Sequence, residues 1–256
     1  MLGVATSALT PGAFRWIERT WGCADIHARQ KWNVMWPLLS RLPRSKVRLL
    51  DAGCGSGKWA LEIAARRPNW TITGVDYDAH AISIAESGRQ RLGLTNVSFR
   101  HDDFLEFQPS VPFDLILSVA SAHYLVDAGQ GERLFRRFNA WLAPGGQLLL
   151  LGPRHAPEVP TLSFLGALPS QRGFRGSDLE KLCHASGLAV DSIDPEIGRL
   201  GTLAKQVAVS AGKSGVARLC AYPFEVALTA MDKWIPLNKR NRSAVWVLAG
   251  RKALVL

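Results

Sequence analysis

An alternation of short apolar runs with amphipathic helical patterns predicts an α/β fold, an open sheet of about seven strands, mostly parallel with the last antiparallel. Three observations carry this. VRLLD (47–51) is apolar, short and followed at once by glycines, as a buried parallel strand should be. The same unit then recurs through TITGVD (71–76), VSFRH (97–101), FDLILSVA (113–120) and QLLLLG (147–152). Helical patterns separate most of these runs, and Pro and Gly fall at their ends.

The elements follow in order. Residues 12–42 read as one or two amphipathic helices, FRWIERTW and IHARQKWNVMWPLLSRL, closed by Pro43. After the first strand, KWALEIAARR (58–67) is a helix ended by Pro68, and a second runs from Ala79 to Leu92. GERLFRRFNAWL (131–142) is a third, leading through an Ala-Pro-Gly-Gly turn (143–146) into the fifth strand. Ser177-Asp-Leu-Glu180 has the spacing of a capping box, and its helix runs to Gly187. LAVDSI (188–193) and AVWVLAG (244–250) supply the last two strands. Between them lie about fifty residues, far more than a hairpin needs. Within that stretch GTLAKQVAVSAG and VARLCAYPFEVALTAMDKW look helical, the second interrupted by Pro223. The expected organisation is an N-terminal helical cap over 1–44 and one domain over 45–256, with 199–243 as a helical lid.

Composition bounds the function. The chain has 256 residues, 47% hydrophobic and 20% charged, which suits a globular enzyme rather than a disordered chain. Its 31 basic and 21 acidic residues give a formal charge of +10, compatible with RNA, an anionic lipid surface or an acidic substrate. The basic residues are dispersed, with modest clusters at Arg44–Arg48, Arg133–Arg137 and Lys239–Arg242. No nucleic-acid recognition motif accompanies them, so a general basic surface is expected. Cysteines 23, 54, 183 and 220 show no CxxC or ligand spacing, which argues against structural zinc and against a disulfide framework. No metal is expected. No run reaches the roughly 18 apolar residues of a membrane span, and a cytoplasmic location is the expectation.

The chemistry concentrates at Leu50-Asp51-Ala52-Gly53-Cys54-Gly55-Ser56-Gly57-Lys58, between a strand and a helix. Glycines at alternate positions let the backbone turn tightly and approach a ligand without a Cβ in the way. A dinucleotide fingerprint fails because Lys58 stands at the final glycine position, and a phosphate loop fails because Trp59 replaces the hydroxyl residue. The motif, the acidic end of ITGVDYD, FRHDDF, FDLILSVASAHYL and LAPGGQLLL together resemble the class I S-adenosylmethionine-dependent methyltransferase superfamily, over about residues 45–152. The resemblance implies a Rossmann-like sheet and S-adenosylmethionine as cofactor, with S-adenosylhomocysteine as product. It implies that Asp51, Gly53, Cys54, Gly55 and Gly57 form the cofactor turn, and that Ser118 lies beside it. It further implies that Asp76 accepts the ribose hydroxyls, that Tyr77 packs on the adenine face, and that Asp103 with Phe104 meets the adenine edge.

For the reaction, an oxygen or amine acceptor gains from a base. His123, directly after the fourth strand, is the candidate because histidine titrates near neutral pH. Tyr124 would shape the pocket. The chain departs from the enzymes that methylate amide or adenine nitrogens, which carry an Asn/Asp-Pro-Pro-Tyr-like motif where this one has Ser118-Val-Ala-Ser121. His27, Arg29 and Trp32 before the domain, and His155 after the fifth strand, are candidates for the acceptor site. A small-molecule acceptor, methylated on an oxygen of a specialised metabolite, sugar or lipid-linked intermediate, is therefore expected. The alternatives are an RNA methyltransferase using the basic surface and a catalytically silent cofactor-binding assembly partner. Self-association as a homodimer stays open.

Overall fold

The computed structural model describes residues 26–43, 45–153, 174–195, 200, 203–204, 207, 215–232 and 245–252. The chain divides into two compact units, one of residues 1–41, 155–171 and 195–245, the other of residues 42–154, 172–194 and 246–256.

The larger unit holds the sheet. Its strands are β1 (Arg48–Ala52), β2 (Thr71–Asp76), β3 (Val97–His101), β4 (Phe113–Val119), β5 (Leu142–Pro153), β6 (Leu188–Pro195) and β7 (Val245–Lys252). They lie in the order β3-β2-β1-β4-β5-β7-β6, parallel from β3 through β5 and antiparallel only among the last strands. The chain builds outward from β1 to β3, then returns to the other side of β1 with β4. That reversal makes a crevice at the carboxyl ends of β1 and β4, where sheets of this kind take ligands. Both central strands are almost wholly buried, which accounts for their continuous apolar runs.

The helices of the larger unit are α2 (Lys58–Arg66), α3 (Ala79–Arg91), α4 (Ala122–Asp127), α5 (Gly131–Trp141) and α6 (Gly176–Ser186). α3 opens on Asp78, whose carboxylate accepts the N–H groups of His80 and Ala81. α5 buries Leu134, Phe135, Phe138 and Trp141 along one stripe, and Phe107 meets the Trp141 ring edge-on at 5.4 Å.

Local detail departs from the sequence reading. The residues after β4, which carry no periodic pattern, form the short helix α4. The Ala-Pro-Gly-Gly turn is absorbed into β5 as an irregularity: Phe113 pairs with Leu142 and Leu115 with Gln147, so β5 bulges out between them. Ser177 caps nothing, because α6 begins two residues earlier than that spacing requires, with Arg175 in the cap position and no side-chain cap bond. The helix does stop where expected, at Gly187 in the left-handed conformation.

The smaller unit contains α1 (Ile26–Ser40) and α7 (Gly215–Asp232), which pack on each other. α1 buries Met35 and Leu39 and stacks Trp32 on Trp36, centroids 5.1 Å apart. α7 is continuous through Pro223, correcting the expected interruption. Proline forfeits one backbone donor there, and the turns on either side hold the helix together. Residues 12–25 and most of GTLAKQVAVSAG lie outside the described residues. Among the described residues, no helix is long and apolar enough to cross a membrane.

Candidate functional site

The turn after β1 is built by three left-handed glycines, Gly53 (φ 81°), Gly55 (φ 51°) and Gly57 (φ 77°). Their reasons differ. A Cβ on Gly53 would stand 2.3 Å from the Cβ of Ser121 and 2.9 Å from the Phe104 ring. One on Gly57 would strike Phe99 at 2.7 Å and Ala85 at 2.8 Å, so this glycine lets α2 settle against β3 and α3. Over Gly55 there is nothing within 4 Å. The turn is tied to β2 by Gly53 and Cys54, whose N–H groups both donate to the Val75 carbonyl, at 2.8 and 3.1 Å.

Two carboxylates flank this turn in contrasting states. Asp76, at the end of β2, accepts the Gly55 N–H at 2.7 Å on one oxygen and the Asp78 N–H at 3.0 Å on the other. Each oxygen keeps a second acceptor site. Asp51 in β1 is fully buried, and neither of its oxygens meets a donor at hydrogen-bond geometry. Burial pushes its carboxyl up to about 7; the Ala60 N–H offsets part of that rise, and the Asp76 charge adds to it. Cys54 between them is buried, which drives its thiol far above the ordinary range, and the charges of Asp51 and Asp76 push the same way. It is a packing residue rather than a nucleophile.

Beside them, Tyr77 is 77% exposed, and its carbonyl oxygen lies 2.9 Å from His101 Nε2. Asp103 is exposed just beyond β3, with one oxygen accepting the Leu105 N–H at 2.8 Å. Its neighbour Asp102 instead faces Arg100 at 3.6 Å. Phe104 leans over Gly53. Ser118 is buried, and its hydroxyl lies 2.8 Å from that of Ser121. Among the described residues no three His, Cys, Asp or Glu side chains gather as metal ligands.

His123 and Tyr124 start α4. His123 is 5% exposed, its ring tilted at 36° to that of Tyr124 with centroids 4.0 Å apart and edge-on to Phe174 at 6.4 Å, while Tyr124 is 55% exposed. The structure thus gathers Asp51, the three glycines, Asp76, Phe104 and Ser118 around one turn. Trp32 belongs to the smaller unit. The side chains of His27 and Arg29, and all of His155, lie outside the described residues. Sequence reasoning missed Ser121, whose only signal was its place after a strand.

Residues 49–146 match the family model of a methyltransferase domain. The chain carries a methyltransferase domain. The chain is 36% identical across 98 residues to the release factor glutamine methyltransferase of Coxiella burnetii, a match covering 38% of this chain and 34% of that protein. It is 35% identical across 122 residues to ribosomal RNA large subunit methyltransferase G of Pseudomonas paraeruginosa, covering 46% and 33%. The chain thus spans about a third of the length of these curated relatives. In fold, it resembles a putative sarcosine dimethylglycine methyltransferase from Galdieria sulphuraria, with a TM-score of 0.61, 13% identity, and coverage of 94% of this chain and 98% of that one. The methyltransferase domain and its flanking strands therefore have the Rossmann-like fold of S-adenosylmethionine-dependent methyltransferases.

Proposed function

We propose that this chain transfers the methyl group of S-adenosylmethionine to an oxygen of a small-molecule acceptor, leaving S-adenosylhomocysteine. The observation that carries the reading is Asp51. A fully buried carboxylate with neither oxygen hydrogen-bonded is costly. Here it stands beside a glycine turn with open space over Gly55, so a ligand bearing cationic groups would favour the ionised form of a carboxyl that this chain leaves without a hydrogen-bond partner. Asp76 keeps an acceptor site on each oxygen for a pair of ribose hydroxyls. Tyr77, Asp103 and Phe104 offer an aromatic face and a polar edge for an adenine ring.

The sulfonium cofactor, when bound, supplies an already activated methyl group. What remains for the protein is to align the acceptor, exclude water and remove a proton. His123 is assigned that proton, with Tyr124 shaping the pocket beside it. A small acceptor is favoured over an amide because Ser118-Val-Ala-Ser121 stands where amide-methylating enzymes keep their Asn/Asp-Pro-Pro-Tyr-like motif. An RNA acceptor is the second reading, on the +10 charge and the likeness to a ribosomal RNA methyltransferase.

The test incubates the chain with isotopically labelled methyl donor and either metabolite extract or total RNA. Label in a small product supports the reading, and label confined to RNA replaces it with the second. With the product in hand, His123→Ala should lower turnover about 100-fold or more while leaving S-adenosylhomocysteine affinity little changed. Undiminished turnover would remove His123 from the chemistry.

A further inference from the structure

We infer that Ser121 is a positioning residue, locking the cofactor turn to the helix that carries His123. The inference rests on the reading above and adds a residue that neither motif nor similarity singles out.

Ser121 occupies the cap position of α4, where a serine ordinarily bonds its own helix. It does not. Its hydroxyl donates instead to the Ala52 carbonyl, 2.8 Å away and 69 residues earlier in the chain. With that hydrogen committed, the 2.8 Å contact with Ser118 must run the other way, Ser118 donating to Ser121. A relay results: Ser118 hydroxyl to Ser121 hydroxyl to Ala52 carbonyl.

The peptide it ends on joins Ala52 to Gly53. Its carbonyl is held by Ser121, just beyond β4, and its N–H by the Val75 carbonyl from β2. The peptide that leads from Ala52 into the open glycine turn is therefore clamped from both sides. Two costs accompany the clamp. Ala120 is left-handed, with φ 56°, an unfavourable conformation for a residue with a Cβ. Ser121 also presses so near Gly53 that no side chain fits there. Both bring the Ser121 hydroxyl to the Ala52 carbonyl, and the next residues are Ala122 and His123. Any shift of the turn on ligand binding is thereby passed to α4.

The experiment compares wild type, Ser121→Ala and Ser118→Ala by calorimetric titration with S-adenosylhomocysteine and by amide hydrogen exchange with and without it. In wild type, the ligand should slow exchange both at 53–57 and at 122–127. Ser121→Ala should weaken affinity about three- to tenfold, as loss of one hydrogen bond implies. It should also abolish the added protection at 122–127 while keeping that at 53–57. Ser118→Ala, which leaves the bond to Ala52 in place, should lose less of both. Should Ser121→Ala not fold, Ser118→Ala carries the test alone: some loss of protection at 122–127 supports the relay, and none refutes it. Unchanged affinity and unchanged protection in Ser121→Ala overturn the inference. Failure of wild type to bind the ligand overturns the functional reading instead.

Discussion

Asp51 makes the site's energetics depend on pH. Its carboxyl is raised to about 7 in the folded chain, against an ordinary value of 3.8, chiefly by burial. The folded state therefore holds the proton more tightly than the unfolded one between those values. Stability is fullest below about 4 and falls as pH rises through about 7. Asp51→Asn should flatten that fall in urea titrations run from pH 4 to 8; an unchanged slope would show that Asp51 is not the group responsible. A second comparison separates the glycines. Gly53→Ala adds a left-handed side chain and a collision with Ser121, and should cost about 2–4 kcal/mol and abolish cofactor binding. Gly55→Ala meets open space and should cost only about 1 kcal/mol, from its φ alone. Equal losses in the two variants would mean that the close contact at Gly53 is unimportant. Asp51, Asp76 and the glycines were legible because their residue types at strand ends already state their chemistry. Ser121 was not, since its partner is remote in the chain.

At the level of elements, periodicity read well wherever a run had one environment. β1 to β4 and helices α2, α3 and α5 lie within a residue or two of their expected bounds because buried strands and amphipathic helices leave opposite patterns. Misreadings fell where backbone geometry, not patterning, decides. α4 is too short for a periodic stripe, and the β5 bulge hides in residues that spell a turn. The capping-box spacing at Ser177 competes with a helix start set two residues earlier. α5 offers the strongest element-level test, because its buried stripe holds much of the aromatic core. Phe138→Ala removes a fully buried ring that lies 5.9 Å from both the Phe135 and the Trp141 rings. It should destabilise the chain by about 3–5 kcal/mol in urea unfolding. A loss under about 1 kcal/mol would mean that the stripe is not the core it resembles.

Across the whole molecule, the legible part is the larger unit and its crevice, and the illegible part is the acceptor. Sheet order and cofactor turn follow from patterns that many substrates share, while acceptor choice depends on loops whose chemistry the motifs do not encode. The charge of +10 belongs to this scale as well. If it serves RNA, binding must weaken steeply as salt rises, whereas a merely basic surface gives weak and nonspecific retention. The claim on which everything else depends is that the turn at Gly53–Gly57, with Asp51 and Asp76, holds an adenosyl ligand. Isothermal titration of the purified chain with S-adenosylmethionine and S-adenosylhomocysteine tests it most directly. The account predicts saturable binding of both at one site per chain, lost in Asp76→Ala. A folded wild-type chain that takes up neither, or an Asp76→Ala variant that binds both unchanged, would contradict it.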